Sequence, residues 1–237
     1  VTPSSFLLAL ALTLSATGCA SGSPSAAAPE LVQAARGDAL VLCEALEARI
    51  EAGTDTPSDR VFAYEAVKRL PEETSAAYTF ARAAITGRLV QHRGLLAVDI
   101  VREVEHFARK SREIDPAFRD GAATRMLGTL YVLAPSDLLE HGNSEEGLSL
   151  LEALVARAPD SAENRLRLGE ALVALGDKEP AAPHLCAALA RRSALRRDEQ
   201  LLLDKVYADA GRPACAPAAP ADAHGERALT RRDADAP

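Results

Sequence analysis

The chain has 237 residues, 48% of them apolar, yet it has no Trp, five Phe and four Tyr, so its apolar content is mostly Ala and Leu. Its net charge of −7 is spread over both signs with no basic cluster to follow a phosphate backbone, and no nucleic-acid partner is expected. Ala and Leu are strong helix formers, while β-branched residues are sparse and never alternate for long. The expected fold class is all-α.

Residues 6–14 are an apolar run interrupted only by Thr13, shorter than the roughly 20 residues that cross a bilayer. The run leads through Ala16-Thr17-Gly18 into Cys19, and no Lys or Arg precedes Arg36. This pattern resembles a bacterial lipoprotein signal. The resemblance implies a signal peptide over 1–18, acylation of Cys19, a flexible tether over 19–29, and membrane attachment through the lipid. Ala20 rather than Asp follows the cysteine, which implies the outer membrane, on its periplasmic face. The alternative is an ordinary secretory signal cleaved near Ala16 or Gly18, releasing a free periplasmic protein.

Leu31, Ala35, Ala39, Leu42, Leu46 and Ile50 lie on one helical face, predicting a helix over 30–52 that Gly53 stops. Asp55-Thr56-Pro57-Ser58 reads as a turn with Ser58 as N-cap, followed by a helix over 59–70 ending before Pro71. An alanine-rich helix is expected over 74–90. Ile100, Val104, Phe107 and Ile114 stripe a fourth, over 96–114, closed by Asp115-Pro116. The pattern continues over 120–133, 144–158, 161–175, 179–192 and 196–210. Nine helices with short loops, filling a domain over 30–211, predict stacked helical hairpins. Residues 212–237 are Pro- and Ala-rich, then mixed in charge, and are expected to be disordered.

The hairpins repeat. Leu127-Gly128 is followed by Tyr131, and Leu168-Gly169 by Leu172. Gly147, Leu151, Leu154 and Pro159 share their spacing with Ala181, Leu185, Ala188 and Ser193. This resembles the tetratricopeptide repeat, whose period is about 34 residues. A small residue on each helix lets two axes close up while large apolar residues fill the groove between hairpins. The surplus of the Gly128-to-Gly169 interval falls in the loop 134–143.

The block from Asp120 through Arg125, Leu127-Gly128 and Tyr131, then Ala134-Pro135, Gly142-Asn143 and Pro159 to Asn164, is similar to a particular lipoprotein family. That family is TatT, the tetratricopeptide T component associated with tripartite ATP-independent periplasmic (TRAP) transporters. The resemblance is clearest over residues 114–182. It implies non-enzymatic work beside a periplasmic solute-binding protein, with ligand binding in a groove or pore.

The four cysteines, Cys19, Cys43, Cys186 and Cys215, form no CxxC pair and have no His at ligand spacing, so no metal is expected. Cys186 with Cys215 is the favoured disulfide, tying the tail to the last hairpin; the alternative is that Cys43, Cys186 and Cys215 are all reduced. Glu105-His106 lacks the second histidine of HExxH, and no nucleophile elbow, Walker loop or GxGxxG is present. The expectation is a binding protein with no cofactor rather than an enzyme. Projecting the fifth and ninth residues of each first helix onto the concave side gives Tyr78 and Arg82, Arg125 and Thr129, and Leu166 and Glu170. A groove so lined suits a small anionic or apolar ligand, or an acidic segment of a protein partner. The competing assignment pairs Arg125 and Glu170 with one another or with neighbouring helices, as struts that stabilise the stack. The rival role is a general envelope scaffold that grips peptides in the same groove.

Overall fold

A computed structural model describes residues 27–93 and 98–215; the expected signal peptide, Cys19 and the part of the expected tail beyond 215 lie outside the described residues. Among those described, the chain is all-helical: α1 Pro29–Ala34, α2 Ala39–Ala52, α3 Pro57–Val67, α4 Ala76–Arg93, α5 Val98–Ile114, α6 Ala122–Leu133, α7 Ser144–Arg157, α8 Ala162–Leu175, α9 Lys178–Ala190 and α10 Arg197–Asp209. The tenth helix arises because the expected 30–52 helix is broken. Asp38 adopts an extended conformation after Gly37 and accepts a hydrogen bond from the Val41 amide, so it caps α2 as a separate helix. The cap of α3 also differs from expectation: Thr56, not Ser58, takes that place. Pro57 fills the first helical position, and Thr56 and Asp59 bond each other's backbone amides reciprocally. Buried Asp59 also accepts from the Ala28 amide at 2.9 Å and from Arg49 Nε at 3.2 Å, which pins the start of the domain onto α3.

The helices pack as hairpins, α4 on α5, α6 on α7 and α8 on α9. Inside them α2 lies against α4 and α6 against α8, and α10 lies against both α8 and α2. The array therefore returns on itself, with its last helix touching its first long one. Ions and backbone groups make that junction. Arg196 pairs with Glu47, Asp198 pairs with Arg88 at 3.0 Å, and the Arg197 amide donates to Glu51 at 2.9 Å.

The repeat glycines sit where helices nearly touch. A Cβ on Gly128 would lie 2.7 Å from Leu151 Cγ and 3.0 Å from the Gly147 carbonyl. A Cβ on Gly147 would lie 2.8 Å from the Gly128 carbonyl, so α6 and α7 cross glycine on glycine. Gly169 meets Leu185 of α9 in the same way. The loop 134–143 is held by Glu105, whose buried carboxylate accepts from the amides of Glu140 (2.7 Å) and His141 (2.9 Å), while Gly142 lies against the Tyr131 ring. Cys186 and Cys215 are bridged, with 5.4 Å between their Cα atoms, which fastens the segment after α10 to α9.

Candidate functional site

The inner helices surround a cavity of about 670 Å³. Small-molecule sites span roughly 300–1,000 Å³, so this one has the right size for a ligand. Phe80 and Ala84 of α4, Val104 of α5, and Met126, Leu130 and Leu133 of α6 give it an apolar wall. The same cavity has a charged lining: Glu47 of α2, Arg88 of α4, Arg125 of α6, Glu163 and Arg167 of α8, and Arg196 just ahead of α10. Arg119 adds a fifth arginine to two glutamates, so the lining by itself is cationic.

The backbone before α6 is strained to form this lining. Arg119 (φ 48°) and Asp120 (φ 57°) both occupy the left-handed region ahead of Gly121 (φ 78°), where a non-glycine residue costs about 1 kcal/mol or more. This turn lays the Arg119 guanidinium over the Phe80 ring, 5.7 Å from its centroid. It also aims the Asp120 carbonyl at Arg125 Nη1, 3.4 Å away.

Arg125, 8% exposed, donates to Asn164 Oδ1 at 3.0 Å and pairs with Glu163 at 2.8 Å. Asn164 in turn donates to the Leu154 carbonyl at 3.4 Å, which also accepts from the Ala158 amide at 2.9 Å, so the side chain ties α8 to the end of α7. Glu47 receives both Arg88 Nε (2.7 Å) and Nη2 (2.5 Å). Burial alone would raise the Glu47 carboxyl, but the hydrogen bonds and charges of Arg88 and Arg196 outweigh it and hold the group below the usual carboxylate range. Glu163 goes the other way. Its burial, reinforced by the neighbouring Glu199 carboxylate, lifts it above the ordinary glutamate value despite Arg125 and Arg167. Cys43, in the α2 wall, is a free thiol pushed up to about 12, first by burial and then by the charge of Glu47.

Of the residues projected from the sequence, Arg125 and Thr129 line this cavity. Tyr78, Arg82, Leu166 and Glu170 are not among its lining residues. Tyr78 and Arg82 face α5 instead: Arg82 pairs with Glu103, donates to the Tyr78 hydroxyl at 3.2 Å and covers the Phe107 ring at 4.5 Å. The cause is register. The third expected helix was placed from residue 74, whereas α4 begins at Ala76, and two residues turn a helix by about 200°. The lining positions on α4 are therefore Phe80, Ala84 and Arg88. On α8 the lining positions are Glu163 and Arg167, one row over from fully buried Leu166 and from Glu170. Glu170 pairs with Arg167 at 3.0 Å, not with Arg125.

Glu47, Arg88 and Arg196 carried no signal in the sequence, because each is an ordinary charged residue on an amphipathic helix or at its edge. The arrangement supplies fixed charge and apolar surface. Among the described residues no group of three or more His, Cys, Asp or Glu has the geometry of a metal site, and no helix is long and apolar enough to cross a membrane. Neither a protein-family model nor a curated protein matches the chain.

Proposed function

We propose that this protein is a non-catalytic binding protein whose inner cavity takes a small apolar molecule with an acidic group, and that it serves a transport system of the cell envelope. The observation that carries this reading is the pairing of an apolar wall with a buried arginine at one cavity: Met126 and Leu130 lie beside Arg125 on the same helix. The apolar side supplies affinity by removing surface from water, and the arginine orients an anion through charge-assisted hydrogen bonds. The resemblance over residues 114–182 supports an accessory role beside a periplasmic solute-binding protein of a TRAP transporter, with Cys19 as the lipid anchor at the outer membrane. The general peptide-gripping scaffold has less support, because α10 lies against α2 where an open groove would need a gap.

Catalysis is the second reading, and Glu163 favours it: a carboxyl raised by burial and by a second acid is the usual preparation of a general acid. The arginines around it are each engaged by acids or backbone, which suits static recognition better.

Fluorescence of N-phenyl-1-naphthylamine tests the cavity directly. The probe should brighten with the parent protein and stay dark with Ala84→Phe, which fills the cavity from its apolar side. Equal brightening by both would remove the cavity as a binding site. Capture of the acylated protein from its own envelope, followed by identification of what comes with it, tests the transport role. Recovery of assembly machinery in place of a solute-binding protein would favour the scaffold.

A further inference from the structure

We propose that Glu163 is an internal competitor for the cavity: its carboxylate occupies the place on Arg125 that the acidic head of a bound ligand takes, so that binding exchanges one carboxylate for another. This rests on the reading of the cavity as a site for apolar acids and adds to it how that site is held when empty.

The arginines of the charged lining are not equivalent. Arg88 is held by two oxygens of Glu47 and by Asp198 at 3.0 Å. Arg196 is held by Glu47, by Glu199 at 3.4 Å and by Asp198 at 3.9 Å. Arg167 is held by Glu170 at 3.0 Å and Glu199 at 3.8 Å. Each has at least two acids, so an arriving anion would have to break a network. Arg125 has one acid, Glu163, and its remaining bonds go to neutral oxygens of Asn164 and Asp120. Arg119 also has a single acid, Glu44, but its side chain is 40% exposed and lies over the Phe80 ring; Arg125, 10% exposed, is the buried guanidinium of the lining that displacing a single side chain frees.

That side chain is placed to move. Glu163 is the second residue of α8, so its rotation disturbs no helical turn before it. Its side chain is 36% exposed, against 18% for Glu47, 13% for Glu170 and 4% for Glu199. Burial beside Glu199 raises its carboxyl above the ordinary value, and turning outward to water offsets part of the loss of Arg125.

A second donor waits beside Arg125. Thr129, one turn further along α6, has a buried hydroxyl with no hydrogen-bond partner. Helical threonines normally return that hydroxyl to the carbonyl four residues back, as Thr79 does to Ser75 (2.8 Å) and Thr86 to Arg82 (2.7 Å). Thr129 does not, and an unmade bond in a buried place is costly unless something else fills it. A carboxylate accepting from Arg125 with one oxygen and from Thr129 with the other satisfies both. Its apolar chain then runs along Met126, Leu130 and Leu133.

Isothermal titration of the full chain with decanoate, and with decan-1-ol as the uncharged analogue, tests the exchange. Glu163→Gln removes the competing charge at nearly constant volume and should bind decanoate about tenfold more tightly while leaving decan-1-ol unchanged. Glu163→Asp, which keeps the charge but withdraws it from Arg125, should move in the same direction by less. A merely structural Glu163 predicts the opposite, because losing a strut would loosen the site for both compounds. If both variants bind decanoate no better than the parent while decan-1-ol binds to all three, the exchange is wrong and the cavity reading stands. If no variant with parental helicity binds either compound, the cavity reading fails and the exchange with it.

Discussion

Arg196 and Glu47 stand 149 positions apart in sequence and form an ion pair that joins the start of α10 to α2. The same glutamate holds Arg88 by two bonds, so one carboxylate ties α2, α4 and α10 together beside the cavity. Removing one partner from this part-buried ion network leaves the others uncompensated, at a loss below the roughly 3–5 kcal/mol of a fully buried pair because Arg196 is screened by solvent. Glu47→Gln should therefore lower the urea midpoint strongly. Arg197→Ala should cost much less, because it removes only an exposed side-chain bond to the Ala52 carbonyl and leaves the Arg197 amide on Glu51. Similar small losses for both would mean that the junction is not a buried network.

Three glycine-to-alanine changes should separate by sign. Alanine in a helix gains about 0.5–1 kcal/mol over glycine when space permits. Gly87 has nothing within 4 Å of its missing Cβ, so Gly87→Ala should raise the melting temperature. Gly128→Ala drives a Cβ into Leu151 and the backbone carbonyl of Gly147, and that backbone cannot yield cheaply; a net loss of about 1–3 kcal/mol is expected. Gly169→Ala should fall between them, since Leu185 meets it chiefly with a movable side chain. A destabilised Gly87→Ala or a neutral Gly128→Ala would show that the helices are not in this register.

Acid should unfold the protein through Glu47 and Asp59, because both carboxyls sit below their unfolded values of 4.5 and 3.8. For Asp59, burial is outweighed by bonds from the Ala28 amide and from Thr56. A depressed carboxyl contributes stability that is present above its unfolded pKa and lost as pH falls through the folded one. Stability should thus decline below about pH 4.5, and Asp59→Asn should make that decline shallower while lowering stability at neutral pH. Glu163 has the opposite sign: its raised carboxyl favours the fold below pH 4.5 and loses that contribution as pH rises through its folded value. Urea midpoints from pH 3 to 7 for the parent and Asp59→Asn read the slope. Parallel curves would show that Asp59 does not titrate out of step with the unfolded chain.

The Cys186–Cys215 bridge closes a loop of 29 residues that contains α10. Chain entropy gives such a loop about 3.5 kcal/mol at most. Cys215→Ser should lower the melting temperature in oxidising buffer and lose its difference from the parent under reductant. A difference that persists under reductant would assign the effect to packing of the Cys215 segment, where Tyr207 donates to the Pro213 carbonyl at 2.7 Å.

Lipid attachment is tested at Cys19. Cys19→Ser should leave unprocessed precursor and release the protein from membranes. Unchanged membrane fractionation, with no change in the mass of the N-terminal peptide, would remove the anchor.

The sequence by itself determined the helical class, the boundaries near Gly53, Pro71 and Asp115-Pro116, and the close approach at Gly128 and Gly169. Those features are local: propensity, periodicity, stop residues and a small residue at a fixed place in a repeat. It also singled out Arg125, through its projection onto the concave side and its place in the block that carries the family resemblance. What it misplaced shows where local information ends. Tyr78 and Arg82 were put on the concave side by a start two residues early, and a helix face cannot survive that error. Glu163 and Arg88 were assigned no place in the groove, since nothing in either residue's neighbourhood names a partner 38 or 41 positions away. Only the tertiary structure decided that α10 returns to α2 and that five arginines face one cavity. It alone showed that Arg88, Arg167 and Arg196 each meet two or more acids, while the buried Arg125 has Glu163 as its one acidic partner. Such pairings depend on the accumulated turn of successive hairpins, a sum over the whole array that no single segment encodes.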